Sequence, residues 1–245
     1  MKYTKDSVWK REDLNKRYLE GVRGAIPLAE YQIKVILCLV GKTLPRLKSF
    51  LDLGCGDGIL GRAVLSNYPK AKGIFLDFSD TMIEAARKKA PKNNKNLVFI
   101  TQDYGKPRWI KSVAKYGRQD LIISGFSIHH QKDKRKKAIY REIFDLLRPG
   151  GLFLNLEHVA SATLRLHRIF DEFFIDALYK FHLSLDPAAK RKTIARQHYL
   201  NPCKKANILT PVEKQCSWLR EIGFKDVDCY LKIFELALFG GVKPI

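Results

Sequence analysis

Long hydrophobic runs are missing from this sequence of 245 residues. No apolar stretch approaches the roughly 18 residues that a membrane-spanning helix needs, and the first residues contain no apolar core of a signal peptide. The five cysteines include no C-x-x-C pair, so neither a structural zinc site nor a disulfide framework has support. We therefore expect a cytoplasmic protein with reduced thiols and no membrane partner.

Acidic residues are also few, since 25 Asp and Glu stand against 45 Lys and Arg and give a net charge of +20. Such a charge attracts polyanions at low salt, which makes RNA a candidate partner. The basic runs 87–89, 132–137 and 190–192 nevertheless lack the interleaved aromatic residues of nucleic-acid channels. We therefore interpret these runs as solvated faces and favour a small-molecule partner over RNA.

Short apolar runs alternate with helical patterns from residue 50 onward. This alternation predicts βαβ units and a parallel sheet with helices on both faces. The last two predicted strands follow each other as a hairpin. The seven predicted strands are residues 50–53, 73–77, 97–101, 121–124, 152–156, 227–233 and 236–242. We expect a single α/β domain over residues 1–245.

Two regions lie outside this alternation. Residues 1–45 have helical patterns and precede the first strand as a cap would. Residues 158–210 carry aromatic side chains at helical spacing and predict a helical insertion between strands five and six. Ser79 is predicted to cap the second linking helix. Thr210 is predicted to open a capping box, with Pro211 at the first helical position.

A glycine-rich turn follows the first predicted strand, with Gly54, Gly56 and Gly58 directly after the apolar run. Glycine is needed where the backbone turns sharply and a ligand presses against it. Asp77 ends the next strand, 21 residues after Gly56. An acidic side chain at that position can bind both ribose hydroxyls of an adenosine, so the spacing predicts an adenosine site.

The same turn contains a literal dinucleotide fingerprint, Gly56-x-Gly58-x-x-Gly61, which leaves an NAD-dependent oxidoreductase as an alternative. Charge argues against this alternative, because the carboxylates of Asp52 and Asp57 would repel a pyrophosphate at the helix N-terminus. The sulfonium and ammonium groups of S-adenosylmethionine would instead be attracted to these acids. We therefore favour S-adenosylmethionine as the cofactor.

The ordered set of motifs resembles the class I S-adenosylmethionine-dependent methyltransferase family. Residues 51–58 look like its first motif and residues 74–79 like its second. Further matches in chain order are the adenine-contacting acidic motif, the fourth strand, the turn before strand five and the reversed last strand, at residues 102–104, 120–124, 147–151 and 240–243. The resemblance implies a Rossmann-like methyltransferase fold, a mostly parallel seven-stranded sheet with a reversed last strand. It does not name the methyl acceptor.

The resemblance also implies roles for individual residues. Asp77 would bind the ribose, and Phe78 and Met82 would pack on the adenine. Asp103 would accept a hydrogen bond from the adenine amino group, with Tyr104 beside it. The other implied cofactor-binding residues lie in the first motif, at the end of strand four and in the N-terminal segment: Asp52, Gly54, Cys55, Gly56, Ser124 and Arg23.

Two of these residues have specific implied neighbours. Ser124 would lie near the sulfonium at the end of strand four. Arg23, in a segment that closes over the cofactor in some relatives, would pair with the methionine carboxylate. A solvated surface charge is the alternative for Arg23.

Candidate catalytic residues follow strand four. Methyl transfer from a sulfonium depends mainly on positioning and desolvation, but a hydroxyl or protonated amine acceptor also needs a base. His129 and His130 lie where ligands bind in open α/β sheets, and adjacent side chains point in different directions, so we expect one at most to face the site. A histidine bonded to the backbone at a helix start is the alternative. No third ligand stands at a recognisable spacing, so no metal is predicted.

The remaining histidines receive weaker assignments. His158, at the end of strand five, is a second candidate for the rim of the site. Three histidines of the insertion are interpreted as packing or surface residues: His167, His182 and His198.

A second resemblance leaves an alternative function open. The helical insertion and the aromatic strand near residues 229–234 are similar to carboxy-S-adenosylmethionine synthases of wobble-uridine modification. Those enzymes rebuild the cofactor and hold its added carboxylate with an arginine, whose equivalent we do not identify in this sequence. A non-enzymatic RNA-binding protein on the same scaffold is a third hypothesis, motivated by the net charge.

Overall fold

The computed structural model describes residues 25–92 and 94–245, apart from the side chains of Cys203 and Lys205. Within this part of the chain one seven-stranded sheet has the order β3-β2-β1-β4-β5-β7-β6. Its strands are β1 Ser49–Leu53, β2 Lys72–Asp77, β3 Leu97–Thr101, β4 Gln119–Gly125, β5 Leu147–His158, β6 Lys225–Ile233 and β7 Leu236–Val242. The first five strands pair in parallel, and β7 runs antiparallel to both β5 and β6. The predicted Rossmann-like methyltransferase topology is confirmed.

Nine helices and one short 3₁₀ turn connect these strands in the described residues. The helices are α1 Ala29–Thr43, α2 Ile59–Asn67, α3 Asp80–Lys89, α4 Trp109–Ala114, α5 Asp133–Leu146, α6 Leu164–Leu185, α7 Arg191–Leu200, α8 Pro202–Lys205 and α9 Val212–Ile222. The 3₁₀ turn is Ile128–His130. None of the helices in the described ranges has the length and apolar character that crossing a membrane requires.

The two faces of the sheet form two apolar cores because successive side chains of a strand point to opposite faces. Leu51 and Leu53 of β1 face α4, α5 and α9. Phe50 of β1 belongs to the other core, with α1, α2 and α3. All five residues of β1 are buried, as expected for a central parallel strand covered on both sides.

Strand β5 is longer than predicted because the turn before it lies inside the sheet. Its pairing with β4 jumps from Gln119↔Leu147 to Leu121↔Leu152. Gly150 has a φ of 76° and donates its N–H to the carbonyl of Lys243 at 2.8 Å. The glycines therefore form an irregularity within β5, held by the end of β7.

One predicted helix start is confirmed and another is wrong. The Ser79 side chain accepts a hydrogen bond from the N–H of Met82 at 3.4 Å, as a cap should. Helix α9 begins instead at Val212, with Pro211 in the cap position and no side-chain cap. The Thr210 hydroxyl instead accepts a hydrogen bond from Lys136 and donates one to Asp133, both residues of α5 and both at 2.6 Å.

The region between β5 and α9 contains three helices, α6 to α8, which we call the insertion. Helix α6 is 22 residues long, and only Phe170, Asp171 and Ile175 of it are buried. The insertion contacts the sheet close to the carboxyl ends of the strands, next to the hairpin that joins β6 and β7.

Candidate functional site

The glycine turn after β1 has the conformation that its sequence predicts. Gly54, Gly56 and Gly58 have φ values of 68°, 53° and 78°, where residues with a Cβ are strained. The N–H of Gly54 donates to the carbonyl of Leu76 at 2.7 Å, which ties the turn to β2. A Cβ on Gly54 would lie 1.9 Å from Oγ of Ser127. Glycine at position 54 therefore allows the β4 loop to approach the turn.

Asp77 holds this turn from the end of β2. Its side chain is buried, and its two oxygens accept the N–H of Gly56 at 2.9 Å and the N–H of Ser79 at 3.0 Å. Burial raises the pKa of Asp77 from its ordinary value, although these N–H groups lower it. A carboxylate offers about four lone-pair positions, so acceptor capacity remains for a ligand diol.

A cavity of about 250 Å³ lies over the turn at the carboxyl edge of the sheet. It is bordered by β1, β2, the loop after β3 and the loop after β4. Of the residues implied to bind the cofactor, the cavity is lined by Asp52, Gly54, Cys55, Gly56, Asp77, Phe78, Met82, Asp103 and Tyr104. Arg23 lies outside the described residues.

Acidic groups dominate the turn end of the cavity. Asp52 is buried and accepts the N–H of Gly61, the third residue of α2, at 2.8 Å. That N–H is one of the helix-end groups that a pyrophosphate would otherwise bind. Burial, together with the charges of three aspartates, raises the pKa of the Cys55 thiol well above its ordinary value. The electrostatics of this end favour a cationic ligand.

Another part of the cavity wall is built by the loop after β3. The Asp103 carboxylate accepts the N–H of Gly105 at 2.7 Å. Tyr104 is buried, and its hydroxyl lies 2.6 Å from Oγ of Ser127, so this side chain bridges the loops after β3 and β4. Burial raises the pKa of Tyr104, which keeps its hydroxyl protonated.

The structure does not bring Ser124, which was expected near the sulfonium, to the cavity. Ser124 is fully buried, does not line the cavity, and donates its hydroxyl to the carbonyl of Leu53 at 2.7 Å. The physical reason is that β4 continues to Gly125, so position 124 still lies inside the sheet. Ser127, in the loop beyond the strand, lines the cavity instead. Ser127 could have been identified from the sequence only if the end of β4 had been predicted correctly.

The two adjacent histidines lie on different sides of the cavity wall. His130 lines the cavity, and the His129 ring lies behind it with a centroid separation of 3.9 Å. His129 is buried, with Nδ1 2.5 Å from Oε1 of Glu157, and its N–H donates to Oε2 at 2.9 Å. The structure thus brings His130 to the cavity and places His129 against a carboxylate.

Glu157 is a site residue that the sequence analysis missed. It lies near the end of β5, is fully buried, and has a pKa raised to about 7 by burial, which nearby positive groups only partly offset. The sequence did contain a signal for Glu157: it is an acid at the carboxyl end of β5, and β5 lies next to β4, the strand that the two histidines follow. Among the described residues, no group of three His, Cys, Asp or Glu is placed to hold a metal ion.

The interpretation of the basic run 132–137 as a solvated face is wrong for part of it. Arg135 makes two hydrogen bonds to Glu142, at 2.6 and 2.7 Å, and donates to the carbonyl of Tyr104. Lys136 is buried and donates to the Thr210 hydroxyl at 2.6 Å. These cations are used to hold the loops of the site, so they contribute little to a polyanion surface.

The fold and these buried acids define a Rossmann-like domain with a site suited to an adenosine-containing cation. Residues 50–151 match the family model described as a methyltransferase domain. This segment, somewhat less than half of the chain, is thus similar to class I S-adenosylmethionine-dependent methyltransferases, a family that uses S-adenosylmethionine as its cofactor. The match agrees with the resemblance seen in the motifs.

Individual relatives cover different parts of the chain. A malonyl-[acyl-carrier protein] O-methyltransferase from Ilyobacter polytropus is 32% identical over 43% of this chain and 38% of its own length. A carboxy-S-adenosyl-L-methionine synthase from Helicobacter hepaticus is 25% identical over 85% of this chain and 83% of its own length. An O-methyltransferase family protein from Burkholderia thailandensis has the same fold, with a TM-score of 0.68 and 17% identity, over 100% of this chain and 64% of that one. The chain thus spans less than two thirds of the first and third of these proteins.

Proposed function

We propose that the protein transfers the methyl group of S-adenosylmethionine to an oxygen or nitrogen of a small acceptor, with the His129–His130 pair supplying the general base. The observation that carries this proposal is the buried contact between His129 and Glu157, directly behind the cavity wall formed by His130. A titratable pair of this kind at the mouth of a ligand cavity is typical of an acid–base site.

The cofactor would be held by the residues that line the cavity. Asp77 would accept the ribose hydroxyls, and Asp103 would accept from the adenine amino group. Phe78 and Met82 would contact the adenine ring, and Asp52 would favour the positive charges of the methionine end. Bound there, S-adenosylmethionine supplies an electrophilic methyl group on a sulfonium.

The histidines would take the proton that a hydroxyl or protonated amine acceptor loses. His130 faces the cavity, and the positive charge that forms on the pair would be stabilised by the ionised Glu157. Because the surroundings are buried, this interaction is stronger than it would be in water. Glu157 and the N–H groups around it would also keep the His129 ring in one orientation.

A small acceptor is favoured over RNA because several basic residues already have acidic partners. Arg135 pairs with Glu142, Lys137 with Glu221 at 2.5 Å, and Arg191 with both Glu172 and Asp176. The cytoplasmic location remains a prediction from the sequence.

The similarity to a carboxy-S-adenosyl-L-methionine synthase over most of both chains keeps cofactor rebuilding as a second candidate. An added carboxylate would need a cation beside the methionine end. Among the described residues that line the cavity, Lys106 is the one lysine or arginine, and its ammonium lies 3.7 Å from the Asp103 carboxylate, which partly offsets its charge. We therefore favour methyl transfer over cofactor rebuilding.

Two measurements test the proposal. Calorimetry with S-adenosylmethionine and S-adenosylhomocysteine should show binding that Asp77→Ala weakens about 10- to 100-fold, the loss expected when hydrogen bonds to a charged group are removed. Asp80→Ala, an exposed acid three residues further on, is the matched control. Equal affinities of the wild type and Asp77→Ala, or no binding at all, would contradict the cofactor assignment.

The acceptor is found by incubating the protein with S-adenosylmethionine and either a metabolite panel or total tRNA. Mass spectrometry of the products should show a small molecule heavier by one methyl group and stoichiometric S-adenosylhomocysteine. Methylated tRNA alone would contradict the small-acceptor assignment, and a carboxylated cofactor would support the second candidate.

A further inference from the structure

The tip of the β6–β7 hairpin inserts a carboxylate into the protein interior. Glu235 is fully buried. Its Oε2 lies 2.8 Å from Nε2 of His158, and its Oε1 accepts the Ser161 hydroxyl at 2.6 Å and lies 2.7 Å from Nδ1 of His167. Burial raises the pKa of Glu235, but these three hydrogen bonds outweigh it and place the pKa below its ordinary value. The two oxygens of one ionised carboxylate thus serve two different histidines.

The first of these histidines borders the candidate transfer site. His158 follows Glu157 at the end of β5, and its ring centroid lies 5.8 Å from that of His129. Its other nitrogen, Nδ1, lies 3.3 Å from the amide nitrogen of Asn207. With a partner on each side, the His158 ring is held in one orientation beside the His129–Glu157 pair.

The second histidine belongs to the insertion. His167 lies one turn before Asp171 on α6, with 3.6 Å between His167 Nε2 and Asp171 Oδ2. Asp171 is buried, lies 3.0 Å from Nε2 of His198 on α7, and pairs with Lys204 on α8. The Asp171 contacts join the three helices of the insertion to one another. The contact between His167 and Glu235, beside Phe170 packed on Phe234, ties α6 to the hairpin.

We propose that Glu235 is a positioning residue that couples the insertion to the transfer site, holding His158 beside His129 with one carboxylate oxygen and α6, through His167, with the other. A buried charge is tolerated only when it is fully hydrogen-bonded. The contact of Glu235 with His158 and its contact with His167 therefore depend on each other. Displacing α6 removes a partner from Glu235 and weakens its hold on His158. The catalytic consequence of this coupling rests on the proposed function, but the coupling itself does not.

Glu235→Gln tests the coupling because it keeps the shape and removes the charge. We expect changed ¹H–¹⁵N ring signals of both His158 and His167, and hydrogen exchange of the α6 amides faster by about 10- to 100-fold, as for the loss of hydrogen bonds to a charged group. Once an acceptor is known, its KM should rise and kcat should fall, while the Kd of S-adenosylhomocysteine stays within about twofold, since Glu235 does not line the cofactor cavity.

One further variant changes the contact with α6 alone, and another provides a control. His167→Gln removes the contact between Glu235 and α6, so it should accelerate hydrogen exchange of α6 and also alter the His158 signals. This variant tests the coupling even if Glu235→Gln does not fold. Glu172→Gln changes an exposed acid on the same helix, bonded to Arg191, and should leave the His158 signals unchanged.

Unchanged His158 signals in His167→Gln, or unchanged α6 exchange in Glu235→Gln, would overturn the coupling. If the wild type methylates no acceptor, the proposed function fails, while the ring signals and the exchange rates still decide whether Glu235 couples the two regions.

Discussion

The imidazole of His129 and the carboxylate of Glu157 lie 2.5 Å apart, between Nδ1 and Oε1, in a fully buried position at the carboxyl ends of β4 and β5. Glu157 also accepts the N–H groups of His129 at 2.9 Å and of His158 at 3.0 Å. These bonds fix the carboxylate, while burial raises its pKa to about 7. The backbone therefore positions Glu157, whose pKa lies in the physiological range.

A pH dependence follows from this pair. Because Glu157 must be ionised to stabilise positive charge on the histidines, kcat/KM should rise as the pH passes through about 7 and level off above it. Glu157→Gln should lower the plateau about 10- to 1,000-fold and remove the rise that is due to Glu157. Initial rates of S-adenosylhomocysteine formation from pH 5.5 to 9 provide the measurement.

Glu221→Gln is the control for this profile, since it neutralises an exposed acid whose partner is Lys137. Its profile should match that of the wild type. A wild-type rise that persists in Glu157→Gln would assign the titration to another group.

The glycine turn makes a steric prediction. Gly54→Ala should destabilise the protein by about 2–4 kcal/mol, because a positive φ costs about 1–2 kcal/mol for a residue with a Cβ and the Ser127 side chain must also move. Gly117 has a similar φ of 81° but has no atom within 4 Å of the added Cβ. Gly117→Ala should therefore show only the backbone cost. Urea unfolding of both variants measures the difference, and equal losses would exclude the clash.

The sequence was sufficient for the sheet and for placing Asp77 beside the glycine turn, because both depend on local patterns. Residues 97–101 and 236–242 were predicted as strands with the bounds that the structure shows. Asp77 was found because its distance from Gly56 along the chain is set by one βα unit. Such features require no knowledge of which distant side chains meet.

Contacts between distant segments could not be predicted in this way. Thr210 has the sequence of a helix cap, but it bonds to Asp133 and Lys136, more than 70 residues away along the chain. Ser127 lines the cavity and Ser124 does not, because β4 ends one residue later than predicted. Glu157 meets His129 only because β5 lies beside β4. These residues depend on strand register and packing, which a single sequence leaves open.

Arg135 gives a prediction about the basic run. Replacing it with alanine removes the support of the Tyr104 carbonyl and leaves Glu142 without its guanidinium partner. We expect S-adenosylhomocysteine to bind about 3- to 30-fold more weakly, in keeping with roughly 1–2 kcal/mol for a charged hydrogen bond that acts indirectly. Lys134→Ala, an exposed neighbour on α5, should bind as the wild type does. Calorimetry measures the affinity of both variants for S-adenosylhomocysteine. Equal losses of affinity in the two variants would indicate a non-specific effect of charge.

The buried Asp77 carboxylate leads to a prediction about stability and pH. Burial raises its pKa in the folded state, so the folded protein holds this proton more tightly than the unfolded chain does. This tighter binding of the proton stabilises the folded state at pH values below the ordinary pKa of Asp77. The stabilisation is lost as the pH rises through the pKa that Asp77 has in the folded state. Asp77→Asn does not titrate, and it also puts an amide N–H against one of the backbone N–H groups of Gly56 and Ser79, which adds a constant cost. The free energy of unfolding of Asp77→Asn relative to the wild type should therefore increase with pH above the ordinary pKa of Asp77, whatever its starting value.

Urea unfolding at intervals from pH 4 to pH 8 measures that slope. Asp80→Asn, at an exposed acid in the first turn of α3, provides the reference variant. A slope of the opposite sign for Asp77→Asn would mean that the N–H groups of Gly56 and Ser79 stabilise the carboxylate by more than burial destabilises it. Asp77 would then be a structural anchor of the glycine turn. The expected slope instead means that the fold retains this charge at a cost in stability, which a role in ligand binding explains.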